Sequence, residues 1–199
     1  MGRKATRTDF DEAIRLDPRN AQFFNYRGIA YRAKGDLDRA IADANEAIRL
    51  DPKIAQAFHN RGVAYEKKGD HDRAIADFDE AIRLDPLYVS AFGNRGNIYT
   101  NKGDYDRAIA DLNEATRLNP NYAYALAVRG LAYLRKHDND RAIADLNEAI
   151  RLDPKQFLYF SNRASAYYCK GNQDRAIADY SEAIRLNPNY AYAFCWRDF

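Results

Sequence analysis

Histidine and cysteine side chains are the residues in this chain best suited to metal binding or nucleophilic catalysis. The histidines are His59, His71 and His137, and the cysteines are Cys169 and Cys195. No histidine has a second histidine, a cysteine or a carboxylate at the spacing of a zinc site. Two cysteines alone do not define a disulfide framework. We therefore expect solvated histidines, reduced thiols, and neither a metal nor a cofactor.

Carboxylates also occur in pairs, such as Asp36-Leu37-Asp38, that have the form of a metal-binding loop. The pairs recur at each predicted helix start, where carboxylates favour the helix dipole and cap backbone amides. A calcium loop would also need a sharp glycine turn and a distant glutamate. Because the residues offer no nucleophile with a matched base, the sequence predicts a protein that is not an enzyme.

The charge balance restricts the partners. The 199 residues include 31 basic and 29 acidic side chains, mixed along the chain, which disfavours a nucleic-acid surface. No apolar run is long enough to cross a membrane, and no apolar segment follows the basic start Met1–Arg7, as a signal peptide would require. We expect a cytoplasmic protein without a nucleic-acid or membrane partner.

The secondary-structure elements that position these side chains can be predicted from an internal sequence repeat. Six prolines lie 34 residues apart, at Pro18, Pro52, Pro86, Pro120, Pro154 and Pro188, and the string DRAIAD occurs five times. A fixed period of this size predicts stacked supersecondary units. In one unit, apolar residues at helical spacing fill 21–34 and 37–50, with Gly35-Asp36 between them and Asp51-Pro52 after them. Each repeat is therefore a pair of helices, which we call helix A and helix B.

The repeat resembles the tetratricopeptide repeat (TPR). In the second full repeat the matching residues are Phe58, Arg61-Gly62, Tyr65, Ala74, Phe78, Ala81 and Pro86. The resemblance implies an all-α, right-handed α-solenoid, or superhelix, of antiparallel helix pairs. We expect a single array over 1–199 in the order B-(AB)5-A: a half repeat at 1–20, full repeats at 21–54, 55–88, 89–122, 123–156 and 157–190, and a half repeat at 191–199.

The two half repeats leave an unmatched helix at each end. One interpretation is a segment of a longer protein, and the other is end-to-end pairing into a homo-oligomer, since a terminal helix A could complete a partner's helix B. A scaffold that assembles through its ends is thus an alternative function. The recognition arm of a larger enzyme is another.

An arginine stands at the seventh position of each full repeat and an aspartate sixteen residues later. An arginine beside a packed face needs a carboxylate partner. We therefore predict an ion pair between the two helices of each repeat, in the set Arg27–Asp43, Arg61–Asp77, Arg95–Asp111, Arg129–Asp145 and Arg163–Asp179.

The resemblance places a binding groove on the concave face, lined by helix A. The chain lacks the cations with which some family members clamp a carboxylate, so we do not expect such a ligand. It carries instead amides suited to an extended backbone, and an apolar stretch from the fourth repeat onward. The predicted groove for a protein or peptide partner comprises Tyr26, Asn60, Asn94, Asn97, Tyr124, Val128, Leu131, Leu134, Leu158, Asn162, Tyr168 and Trp196.

Overall fold

The computed structural model of the protein describes residues 7–190, which hold eleven α-helices and no strands. The all-α prediction is confirmed. The helices are α1 (Arg7–Leu16), α2 (Ala21–Ala33), α3 (Leu37–Leu50), α4 (Ala55–Lys67), α5 (His71–Leu84), α6 (Val89–Lys102), α7 (Tyr105–Leu118), α8 (Ala123–Arg135), α9 (Asn139–Leu152), α10 (Phe157–Cys169) and α11 (Gln173–Leu186). The predicted last half repeat, with Cys195 and Trp196, lies outside the described residues.

The described residues form two compact units that divide between Arg95 and Gly96, inside α6. In the first unit each helix from α1 to α5 packs against the next, and α2 also contacts α4. In the second unit the same holds from α7 to α11, and α8 also contacts α10. The A helices α2 and α4 therefore lie side by side in the first unit, as do α8 and α10 in the second. The division of the chain into repeats stays a prediction.

Polar residues in the short turns fix where the second helix of each pair begins. Asp36 accepts a hydrogen bond from the backbone N–H of Arg39 at 3.2 Å, which confirms it as the predicted N-cap of α3. The same bond caps α5, α7, α9 and α11, through Asp70, Asp104, Asp138 and Asn172. Each cap satisfies a backbone N–H that the helix itself leaves without an acceptor.

Glycine at the eighth repeat position lets the two helices of a pair approach closely. A Cβ atom on Gly62 would lie 2.8 Å from Cε1 of Phe78, and one on Gly130 would lie 2.8 Å from Cγ of Leu146. Phe78 and Leu146 are fully buried. The small residue therefore makes room for the large apolar side chain that fills the space between the helices.

The arginine column forms the predicted ion pairs. In four of these pairs, Nε and Nη2 of the arginine donate to the two carboxylate oxygens at 2.6–2.9 Å: Arg27–Asp43, Arg61–Asp77, Arg129–Asp145 and Arg163–Asp179. A bond that the sequence did not predict joins Nη1 to the preceding helix. The acceptor is Asp11 for Arg27, Asn45 for Arg61, Asp79 for Arg95, Asn113 for Arg129 and Asn147 for Arg163. Where all three bonds are present, one guanidinium ties three helices together.

His137 occupies a turn position that is glycine in the other repeats. Its φ of 61° is left-handed, and the corresponding glycines have φ between 74° and 82° (Gly35, Gly69, Gly103 and Gly171). A side chain in this region costs about 1 kcal/mol. We expect His137→Gly to raise the free energy of unfolding by roughly that amount in urea denaturation.

Gly69→His is the matched converse of that change. Gly69 has φ +81° and no atom within 4 Å of its would-be Cβ, so that only backbone strain is altered. It should lower the free energy of unfolding by a similar amount. Equal stability of His137→Gly and the parent chain would remove backbone strain as an explanation.

Candidate functional site

In the first unit, the predicted groove residue Asn60 belongs to a chain of side-chain amide hydrogen bonds that runs through Asn25 to Gln56. Nδ2 of Asn60 donates to Oδ1 of Asn25 at 2.8 Å, and Nδ2 of Asn25 donates to Oε1 of Gln56 at 2.9 Å. Asn25 is 1% exposed and Asn60 is 9% exposed. The donor of Asn60 therefore already serves a buried bond between α2 and α4, and a guest would have to compete with that bond; the place of Asn60 in a partner groove stays a prediction.

His59 is the second departure from expectation, since we predicted a solvated imidazole. Its ring lies 5.6 Å from that of Phe78 and 5.0 Å from that of Tyr88, and Nε2 lies 3.1 Å from Nδ2 of Asn94. Burial, reinforced by the positive charge of Arg32, lowers the pKa of His59 to about 4. His59 is thus a neutral packing residue, and Asn94 is engaged with it.

Tyr26, the remaining predicted residue of the first unit, is exposed, and its ring lies 5.8 Å from that of Phe10. The amides of Asn25, Gln56 and Asn60 on α2 and α4 are bonded within the unit, whereas Nε of Arg32 and Nδ1 of His59 are buried without a hydrogen-bond partner among the described residues. A guest would have to break those bonds before it could form its own, and leaving a buried polar group unpaired costs about 1–3 kcal/mol. This surface is therefore poorly suited to backbone recognition.

The second unit has an open cavity between α8 and α10, with a volume of about 570 Å³. We call it the α8–α10 groove. Six of the predicted residues line it: Asn97, Tyr124, Val128, Leu131, Leu158 and Asn162. Leu158 is 46% exposed, whereas Val128 is 7% exposed and forms part of the floor of the groove. A concave, largely apolar cavity of this size with a few polar groups is typical of a ligand site.

Further residues of the α8–α10 groove were not predicted. They are Tyr122, Ala123, Ala127, Asp153, Gln156 and Tyr159. Most of them come from the ends of helices and the loops between them, whereas the sequence argument considered only the exposed face of helix A. The sequence feature that could have identified this part of the groove is the tyrosine at 122 and at 159, because the corresponding positions of the first repeat hold Ile54 and Phe23.

One corner of the groove combines rings with a carboxylate. The rings of Tyr122 and Tyr124 lie 5.8 Å apart at 45°. Burial raises the pKa of Tyr159, and electrostatic interaction with Asp153 and Tyr122, which line the same cavity, raises it further. Asp153 accepts the backbone N–H of Lys155 through Oδ1 at 3.3 Å. The corner is aromatic and negative.

A second cavity of about 540 Å³ adjoins the groove and shares Leu131 and Asn162 with it. It is more polar, with the predicted Leu134 beside Arg135, His137 and Cys169. The amide of Asn162 therefore stands on a wall common to both cavities. Tyr168 is exposed but lines neither cavity.

Within residues 7–190 no group of three or more histidine, cysteine, aspartate or glutamate side chains is placed to hold a metal. Among the described helices, none combines the length and the apolar character needed to cross a membrane.

Solved structures similar to this chain are helical repeat proteins. YrrB shares 23% identity, with a TM-score of 0.74 over 98% of this chain and 100% of the other. PilF of Pseudomonas aeruginosa shares 20% identity, with a TM-score of 0.81 over 94% and 82% of the two chains. MamA of Desulfovibrio magneticus RS-1 shares 21%, with a TM-score of 0.74 over 86% and 97%. At these identities the likeness concerns the fold.

Comparison with curated protein sequences returned no significant match. Family models do match the sequence directly. A model described as tetratricopeptide repeat matches residues 59–123 and 127–191, one described as TPR repeat matches 28–69, and another tetratricopeptide repeat model matches 10–42. Together with the helix pairs, the glycine contacts and the arginine column, these matches show that the chain belongs to the tetratricopeptide repeat family, whose members bind protein partners.

Proposed function

We propose that the chain is a non-enzymatic interaction module that binds an extended segment of a partner protein in the α8–α10 groove. The observation that carries this proposal is the contrast between the two units. In the first, the side-chain amides of Asn25, Gln56 and Asn60 are bonded to one another. In the second, apolar and aromatic side chains line a cavity of about 570 Å³ with Asn97 and Asn162 at its walls.

The groove suits a short peptide on energetic grounds. Leu131 and Leu158 offer apolar surface that a guest would cover, at about 25 cal/mol per Å² removed from water. The side-chain amide of Asn162 can both donate to and accept from a peptide backbone. These contacts together support micromolar affinity, on the order of −8 kcal/mol. Of the structural relatives, YrrB is described as a TPR protein with an unusual peptide-binding site, which agrees in kind with this proposal.

Leu158→Gln and Tyr124→Gln test the groove. Both side chains lie at the second repeat position, which is glutamine in the first two repeats (Gln22 and Gln56), so the fold should tolerate the change. We expect each variant to weaken a library-selected peptide about tenfold, because apolar contact area is lost. Binding is measured by fluorescence anisotropy with peptides selected from a random display library on the parent chain.

Leu87→Gln is the matched control, because Leu87 is also exposed, at 67%, and lies outside the α8–α10 groove. It should leave affinity unchanged. If Leu87→Gln weakened binding as much as Leu158→Gln, or if neither groove variant had an effect, the groove would not be the binding site.

A further inference from the structure

Among the described residues that line the α8–α10 groove, Asp153 is the one acidic side chain, and none of the others is a lysine, arginine or histidine. It directly follows α9, and only its Oδ1 is engaged, by the N–H of Lys155. The side chain of Asp153 is half-buried rather than fully exposed to solvent. A partly desolvated carboxylate favours a cationic neighbour more strongly than a fully hydrated one does.

Three tyrosines line the same cavity as this carboxylate, and their rings add to its preference for a cation. The rings of Tyr122 and Tyr124 are tilted at 45° with centroids 5.8 Å apart, and Tyr159 lines the same cavity as both rings and Asp153. The face of an aromatic ring is negative and attracts an ammonium or guanidinium group. Rings and carboxylate therefore favour the same kind of side chain.

The rest of the groove is apolar, with Val128, Leu131 and Leu158 on the same cavity. Building on the proposed function, we infer that the partner segment carries a lysine or arginine that enters the corner formed by Asp153, Tyr122, Tyr124 and Tyr159, next to an apolar residue that packs on the two leucines. An acidic residue in that corner would face Asp153 and be repelled. The specificity of the module is thus for basic–apolar sequences.

The probe is a random heptapeptide display library selected on the full chain. The expected result is enrichment of lysine or arginine beside leucine, isoleucine or phenylalanine. Selection of acidic residues would overturn the inference, and would point instead to the backbone N–H groups at the starts of α8 and α10, which have no side-chain cap.

A double-mutant cycle then tests the contact itself. Replacing the basic residue of the best peptide by glutamine should cost about tenfold in affinity for the parent chain, but less than about twofold for Asp153→Asn, since the carboxylate is then absent. Asparagine keeps the Oδ1 acceptor and already occupies this repeat position at Asn119 and Asn187. Asp51→Asn is the control at the same position of the first repeat, and should behave like the parent chain.

The outcomes separate the inference from the proposed function. If the peptides bind, lose affinity in Leu158→Gln, and show no coupling to Asp153, the charge preference is wrong while the groove stands. If the library yields no binder, both are wrong. A dimer of the chain that dissociates in Leu158→Gln would show that a second copy occupies the groove, which also overturns the inference.

Discussion

Replacing Asp77 with alanine is expected to lower the free energy of unfolding by about 3 kcal/mol, because it leaves the Arg61 guanidinium charged without its carboxylate. Asp77 is 5% exposed, and both of its oxygens accept from Arg61, at 2.9 and 2.6 Å. Arg61 keeps its bond to Asn45 and some contact with water, which puts the loss at the low end of the range for buried pairs. Urea denaturation followed by circular dichroism measures it.

Glu80→Ala is the matched control on the same helix. Glu80 pairs with Arg83 in the same two-bond geometry, at 2.7 and 2.6 Å, but both side chains reach solvent. An exposed pair of this kind contributes about 0.2–1 kcal/mol, so Glu80→Ala should cost less than 1 kcal/mol. A loss in Glu80→Ala as large as that in Asp77→Ala would show that burial is not what makes the arginine column important.

A second variant separates the lost attraction from the orphaned charge. In Arg61→Met/Asp77→Ala the uncompensated guanidinium is gone, and methionine fills much of the same space. We expect the double variant to be more stable than Asp77→Ala by at least about 1 kcal/mol. If the double variant were less stable than Asp77→Ala, the residual charge would not be the source of the cost.

Acidification from pH 7 to pH 5 is expected to remove roughly 2 kcal/mol of stability through His59 alone. The pKa of His59 is lowered from 6.5 to about 4 in the folded chain, chiefly by burial. The unfolded chain therefore binds the proton first as the pH falls. The contribution of His59 is complete above pH 6.5 and is lost progressively down to about pH 4.

His59→Asn isolates this effect, since asparagine is the residue at the same repeat position in Asn25. The free energy of unfolding is measured at both pH values for the parent chain and the variant. The pH dependence of the variant should be smaller by roughly 2 kcal/mol over this range. An identical pH dependence of the two chains would mean that His59 is not buried as a neutral group.

Much of the fold could be predicted because its contacts recur at a fixed spacing. The bond from Arg61 to Asp77 links positions sixteen residues apart in one helix pair, and the period alone brings such positions together. The contact of Gly62 with Phe78 is predictable for the same reason. These interactions depend on the local geometry of a single repeat.

The unpredicted contacts lie where one repeat meets the next. Asn60 lies on the helix face that a single repeat leaves open, but Asn25 of the preceding repeat covers it. His59 is likewise engaged by Asn94 of the next repeat, in addition to Tyr88 at the end of its own repeat. Asp153 escaped notice because it lies in the loop after α9, outside the helix face considered. Helical periodicity does not report which side chain of a neighbouring repeat will reach across.

Amide NMR spectra of the isotope-labelled 199-residue chain, recorded while a library-selected peptide is added, test the central claim most directly. The account predicts that saturable shifts concentrate at residues 122–131 and 153–162, which line the α8–α10 groove. Tight binding with shifts confined to residues 21–95 would contradict it, because the partner would then occupy the unit whose amides are already bonded to one another.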